Sequence, residues 1–333
     1  VAHAGTHELS VIDLPALLDK LAKLPRYRTT ARSSDNGYSG GAAVAADVPN
    51  DLSFLADVRR RIDLKGTGPR DIAAVGEKIY VANYFSDDLS IVDISNIERP
   101  RVERKRLSDS EPTLSVTRRG EQLFSDADIC FQGWQSCASC HPDGRVDGLN
   151  WDLLNDGLGN PKNTKSLLYS HKTPPAMSLG VRGDAKAAVR SGIRHILFQV
   201  RPEEDARAID VYLQNLNSIP GPLAKDKKSA PSVKRGERLF HSTEVGCAEC
   251  HSGEYYTDMK TYDVGTKSKL DWSGEFDTPT LIEIWRTAPY LHDGRSTTLR
   301  DVLTIHNPSD KHGVTSHLSE KEIADLEAFL LSL

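Results

Sequence analysis

Two pentapeptides, Cys137-Ala138-Ser139-Cys140-His141 and Cys247-Ala248-Glu249-Cys250-His251, restrict what this chain can become more than any other feature. Two thiols three residues apart on a turn can each form a thioether to one porphyrin edge. The next residue, a histidine, then reaches the iron as proximal ligand, which is the pattern of covalent c-type haem attachment. One copy alone leaves a dithiol redox pair or half a zinc site open. Here the flanks repeat as well. Arg119-Gly120-Glu121-Gln122-Leu123-Phe124 and Arg235-Gly236-Glu237-Arg238-Leu239-Phe240 precede the motifs, and Asn163-Thr164-Lys165-Ser166-Leu167 answers to Asp277-Thr278-Pro279-Thr280-Leu281. Each copy closes on a helical pattern, at 206–213 and at 323–330. Two copies of a whole unit imply two covalently bound haem c groups.

Four of the five cysteines belong to the motifs, so Cys130 has no internal partner and reads as a buried thiol or an intermolecular one. Haem attachment implies assembly outside the cytoplasm, hence a periplasmic or extracellular protein with a signal peptide. Residue 1 opens directly into folded-looking sequence, so the chain reads as processed or truncated. With 38% apolar and 27% charged residues and a net charge of -5, the composition excludes a disordered chain. No basic run argues for nucleic acid, because Arg99 to Arg106 is diluted by Val102 and Glu103 and reads as a solvated strand face. No apolar stretch approaches the roughly 18 residues of a membrane span.

The first hundred residues carry a β signal. Val1 to Leu14 aligns without a gap on Val81 to Ile94, each copy being two alternating strands around a polar turn. The offset of 80 residues matches two propeller blades, or one blade with an insertion such as Leu17 to Gly41. Gly68-Pro69-Arg70-Asp71-Ile72-Ala73 leading into Ile79-Tyr80-Val81-Ala82-Asn83 resembles the blades of quinoprotein-type β-propellers. Propellers close with about four to eight blades. This segment therefore reads as an incomplete set, or as a small β-meander decorating the rest. A polar turn from Ser108 to Thr113, with Pro112, ends it. The expected architecture is multidomain: antiparallel propeller-like blades at 1–108, then two mainly α, cytochrome c-like domains at 109–222 and 223–333, related by internal duplication. Gly221 to Ser232 reads as the linker between them, and helical periodicity marks Leu17 to Leu24, Ala185 to Phe198 and Glu320 to Leu333.

The paired motifs, with Thr287-Ala288-Pro289-Tyr290-Leu291-His292-Asp293-Gly294-Arg295, resemble the dihaem cytochrome c peroxidase family, which includes the haem enzymes that mature methylamine dehydrogenase. The resemblance covers roughly residues 112 to 333. It implies an electron-transfer haem in the C-terminal half, ligated in the peroxidases by a methionine at a position that counts to His306 here. The chain has only Met177 and Met259, neither in that segment, so the expectation is His251 and His306 on the second iron, with His312 and then His317 as rivals. His/His ligation lowers the potential relative to His/Met. For the first haem the family places a distal histidine in the loop that is Pro142 to Lys162 here, which contains none. The family's aromatic residue between the haems falls near Ser178, and its acid-bearing segment is not recognisable. His195 lies 54 residues beyond His141 and His306 lies 55 beyond His251, which makes His195 the expected sixth ligand of haem one, with His171 and Met177 as alternatives. The resemblance also implies a calcium ion held by Asn163, Thr287 and Pro289, although Asn163 and Thr164 could simply cap a helix.

Two functional readings follow. If both irons carry two protein ligands, the chain is a dihaem c-type cytochrome carrying electrons between a redox partner protein and other cytochromes, and self-association between chains stays open. If haem one has an open face, it is a peroxidase or ferryl-forming oxidase, with His171, His195 and Glu203 as candidate acid/base groups. The absent peroxidase residues favour the electron carrier.

Overall fold

The structure is a computed structural model and describes residues 1–26, 44–51, 53–110, 113–153 and 159–333. The expected insertion at Leu17 to Gly41 lies outside the described residues beyond residue 26, as does the turn proline Pro112. Two compact units are present, Val1–Thr113 and Leu114–Leu333. The last strand of the first unit ends at Arg106, ahead of the polar turn that closes the unit, and the two helical halves share one unit.

In the first unit β1 (Ala2–His3) and β2 (Glu8–Ile12) form a hairpin, and α1 (Leu14–Ala22) leaves it. The chain then returns through β3 (Arg59–Asp63), which pairs antiparallel with β2. A four-stranded antiparallel meander follows: β4 (Pro69–Val75), β5 (Lys78–Asn83), β6 (Asp88–Asp93) and β7 (Arg101–Arg106). Alternation decides which face goes inward. Ile79, Val81 and Val92 join Leu9, Ile62 and Leu64 in one core, while five of the six β7 residues stay exposed. The 80-residue repeat is one hairpin built twice. Ala2 pairs with Leu9 and Ala82 with Leu89, and His7 and Asp87 both take positive φ in the turn. His3 Nε2 meets Ser10 Oγ at 2.7 Å, just as Asn83 Nδ2 donates to Ser90 Oγ at 2.8 Å.

The second unit opens with α2 (Val116–Ser125), capped by Ser115, and then the motif turn α3 (Cys137–Cys140). A short hairpin of β8 (Asn150–Trp151) and β9 (Lys162–Asn163) precedes α4 (Ala185–His195) and α5 (Glu203–Gln214). The second half runs α6 (Ala230–Phe240), the motif turn α7 (Cys247–Cys250), the hairpin β10 (Thr261–Asp263) and β11 (Glu275–Asp277), α8 (Leu299–Leu303) and α9 (Glu320–Leu330).

The halves match position by position. α2 packs on α5 around Leu123, Phe124 and Ile209, and α6 on α9 around Phe240, Leu326 and Phe329. Arg119 pairs with Asp205 and Arg235 with Asp325, both at 2.6 Å. Each helix pair crosses at a glycine because the backbones touch. A Cβ on Gly120 would stand 1.9 Å from the Ala208 carbonyl oxygen, and one on Gly236 would stand 1.9 Å from that of Asp325.

Gly236→Ala should therefore push α6 off α9 and lower stability by about 1–3 kcal/mol. Chemical denaturation of the holoprotein measures it, and an unchanged midpoint would mean the two helices part without cost.

Candidate functional site

In each half one helical turn sets two thiols on the same side, and the chain leaves the helix at the histidine. The His141 amide donates to the Cys137 carbonyl at 2.9 Å and the His251 amide to the Cys247 carbonyl at 3.0 Å. Burial pushes the Cys137 thiol up to about 12, and the Cys140 and Cys247 thiols up to about 11. Each pair is followed directly by a histidine, the spacing of covalent c-type haem attachment. The pairs fit thioether attachment.

Both motif imidazoles are buried, which lowers their pKa and keeps them neutral. His141 Nδ1 lies 3.2 Å from the Arg145 carbonyl oxygen, and His251 Nδ1 lies 3.1 Å from that of Tyr256. A neutral ring that donates through Nδ1 carries its lone pair on Nε2, the state a metal ligand requires.

The second centre has a facing imidazole. The His312 ring lies 6.2 Å from that of His251, centre to centre, at an angle of 37°. Burial and the His251 ring take the His312 pKa down to about 4. At the roughly 2 Å of an imidazole–metal bond, one ion between two Nε2 atoms sets the ring centres roughly 6 Å apart. The pair thus fits one iron. Asn307 holds the loop: its Oδ1 accepts the His312 amide at 2.9 Å, and its Nδ2 donates to the Gly313 carbonyl and to Thr315 Oγ1. Gly313, at φ +80°, lies beside the motif, where an added Cβ would stand 3.5 Å from Cys247 Sγ.

The structure therefore sets His312, the rival candidate, opposite His251. His306 is half-buried just past α8, with its amide on the Asp301 carbonyl, and His317 pairs with Glu244 at 3.3 Å. The near-equal spacings of 54 and 55 reflect helix placement, since His195 is the last residue of α4 and His306 lies three residues past α8. The loops beyond those helices differ. Residues 304–319 carry His312, and the counterpart at 196–202 contains no histidine.

The first centre lacks such a partner. All eleven histidines lie among the described residues, and none of their rings faces His141 as His312 faces His251. His195 is exposed at the end of α4. His171 is buried and engaged: its Nε2 meets Asp210 Oδ1 at 2.9 Å, and Asp210 Oδ2 accepts from Arg190 at 2.6 Å. Glu203 bonds the same guanidinium at 2.6 Å, which holds its carboxyl below the usual range. Met177 is half-buried at φ +75° in the turn that follows cis Pro174-Pro175, and the Ser178 carbonyl accepts the Asp277 amide at 2.9 Å.

Asn163 and Pro289 are brought together, the Asn163 amide group touching the Pro289 carbonyl oxygen, while Asn163 Oδ1 is buried without a hydrogen-bond partner. Exchanging the two amide atoms would set two oxygens side by side, a donor set that suits a hard cation. Thr287 bonds the Ile284 carbonyl through its own amide and hydroxyl.

Arg145, Glu283, Asp271 and Lys162 carry no sequence signal, whereas His292 belongs to the run at 287–295. Arg145 and Glu283 form a buried bidentate ion pair between the halves at 2.8 and 2.9 Å. His292 stacks on Phe276 and meets Asp271 Oδ2 at 2.9 Å, and Lys162 reaches Asp271 Oδ1 at 3.0 Å.

No family model matches the chain. It is 31% identical over 283 residues to hydrazine synthase subunit gamma of Kuenenia stuttgartiensis, covering 68% of this chain and 80% of that protein. It is 25% identical over 284 residues to methylamine utilization protein MauG of Methylorubrum extorquens, covering 64% and 76%. The cytochrome-c peroxidase IdrP1 of a Pseudomonas species is 25% identical over 313 residues, covering 68% and 82%. Among solved structures, Kuenenia stuttgartiensis hydrazine synthase pressurised with xenon superposes with a TM-score of 0.62 at 29% identity, over 68% of this chain and 90% of that one.

His312→Ala should remove the low-spin electron paramagnetic resonance (EPR) signal of the second haem, and His306→Ala should leave it unchanged. The reverse result would transfer the ligand role to His306.

Proposed function

The chain belongs to the dihaem cytochrome c peroxidase and MauG-like family, and from that membership we propose that it is a dihaem c-type oxidoreductase of peroxidase or oxidase type. Its first centre reacts and its second stores and passes electrons. The supporting observation is the asymmetry of the imidazoles: His251 has His312 opposite, and His141 has no facing ring among the described residues. A pure electron carrier needs both irons capped, so the asymmetry favours the reactive reading over the carrier.

Haem bound at the first motif supplies a redox-active iron with a coordination position for a small oxidant. The chain's own residues do the rest. Cys137 and Cys140 attach the first group and His141 ligates it, while Cys247, Cys250, His251 and His312 hold the second. His171 is the candidate acid/base, because a buried imidazole oriented by a carboxylate can take up a proton at one nitrogen and keep its place. Asp210 orients it at 2.9 Å, and the Arg190–Asp210 contact ties that carboxylate to α4. Glu203 is spoken for by Arg190 and Arg207, which leaves it an outer member of the network.

The matched halves support an internal duplication of one cytochrome c-like unit. The four-stranded meander and its partial repeat support propeller blades ahead of it. Asn163, with the Pro289 carbonyl, would hold calcium between the halves. Covalent attachment places assembly outside the cytoplasm, and no helix among the described residues is long and apolar enough to cross a membrane. The partner is a redox protein that delivers or accepts electrons at the second centre.

Low-temperature EPR of the oxidised holoprotein decides between the readings. One high-spin and one low-spin iron, with the high-spin signal consumed by peroxide, is the expected result. Two low-spin irons indifferent to peroxide would return the protein to the electron carriers.

A further inference from the structure

Arg145 stands four residues beyond the first motif histidine, and its backbone carbonyl meets His141 Nδ1 at 3.2 Å, the stronger of two backbone bonds to that ring, the other being to Lys165. The Arg145 guanidinium is 7% exposed and gripped on every side. Nε and Nη2 meet the two oxygens of Glu283 at 2.8 and 2.9 Å, Nη1 donates to the Asp143 carbonyl, and Nη2 also donates to the Asn217 carbonyl, each at 2.9 Å. Glu283 is fully buried and belongs to the other half of the unit. Its Oε1 accepts the Ile219 amide at 2.6 Å, and its own amide lies 3.3 Å from the carbonyl oxygen of Leu333.

This construction is dear in stability terms. A non-glycine residue at φ +61° is strained, and a buried ion pair recovers its desolvation only when its geometry and further hydrogen bonds are good. Apolar residues of the same volume would serve mere packing at least as well. The second motif histidine makes the same kind of bond without such a device, since the Tyr256 carbonyl is borne by an aromatic residue packed near Phe240 and Phe329.

We propose that Arg145 and Glu283 are a positioning pair: Glu283, from the half that holds the second centre, fixes the carbonyl that orients the His141 ring and so sets the ligand strength at the first centre alone. A histidine whose second nitrogen is firmly held is the more basic ligand, and loss of such an outer partner lowers activity or metal affinity 10–100-fold. The placement rests on reading the first centre as the reactive one.

The test is the Glu283→Gln holoprotein, which keeps size and one acceptor oxygen and removes the charge. Potentiometric titration and EPR resolve the two haems. The expected result is a raised midpoint potential and altered g-values at the first haem, no change at the second, and peroxide turnover reduced about tenfold or more. Glu283→Asp, which restores the charge, should return part of the difference. An unchanged first haem, or equal shifts at both, overturns the proposal. If Glu283→Gln does not fold, Arg145→Lys keeps the carbonyl and the charge without the fork and must give the same one-haem shift. A parent protein whose first haem ignores peroxide defeats the functional reading, while the spectroscopic shift still decides the positioning role.

Discussion

A histidine whose other ring nitrogen is held is fixed in tautomer and orientation as a metal ligand, and the bond from Nδ1 to a backbone carbonyl is the constraint this unit serves. A buried neutral imidazole has one donor and one acceptor nitrogen. Committing the donor to Arg145 or Tyr256 leaves the acceptor, on Nε2, for the iron. Both carbonyls sit where the chain turns sharply after the cysteine helix, so the turn must be held. α2 against α5 and α6 against α9 hold it, and they come close enough only because Gly120 and Gly236 let backbone touch backbone.

From this shared frame the two halves diverge by a loop. Past α8 the chain makes a long excursion, organised by Asn307, Asp310 and Thr315, that returns an imidazole to the face opposite His251. Past α4 it goes almost directly into α5. Side-chain identity is secondary here. With only residues 196–202 available, the chain is occupied by bonds such as the Phe131 amide to the Leu197 carbonyl at 2.8 Å and has no reach to spare. The facing imidazole then differs between two centres whose cysteine turns and proximal bonds are alike.

Charge does the work of joining the halves. Arg145 with Glu283, Lys165 with Asp277 and Lys162 with Asp271 all cross from one half to the other, each with its carboxylate buried. Burial alone would raise the Glu283 carboxyl. The Arg145 fork and the Ile219 amide outweigh it and hold the group below its usual range, so it stays charged. Such pairs contribute little net stability. What they supply is register, because a displaced partner leaves an unpaired charge in a dry interior.

The sequence by itself determined both Cys-x-x-Cys-His turns, the repeated flanks around them and the 80-residue hairpin repeat. These are local: one helical turn suffices for Cys-x-x-Cys-His, and a two-residue alternation suffices for a strand. The family resemblance extended that reading over roughly residues 112 to 333, while the short hairpins within it came only with the structure. The choice of His312 over His306, the engagement of His171 with Asp210, and the Arg145–Glu283 pair belonged to tertiary structure. Spacing along the chain reports distance only while the backbone is regular. Beyond the last turn of α8 it is not, and a loop anchored by an asparagine determines which imidazole arrives.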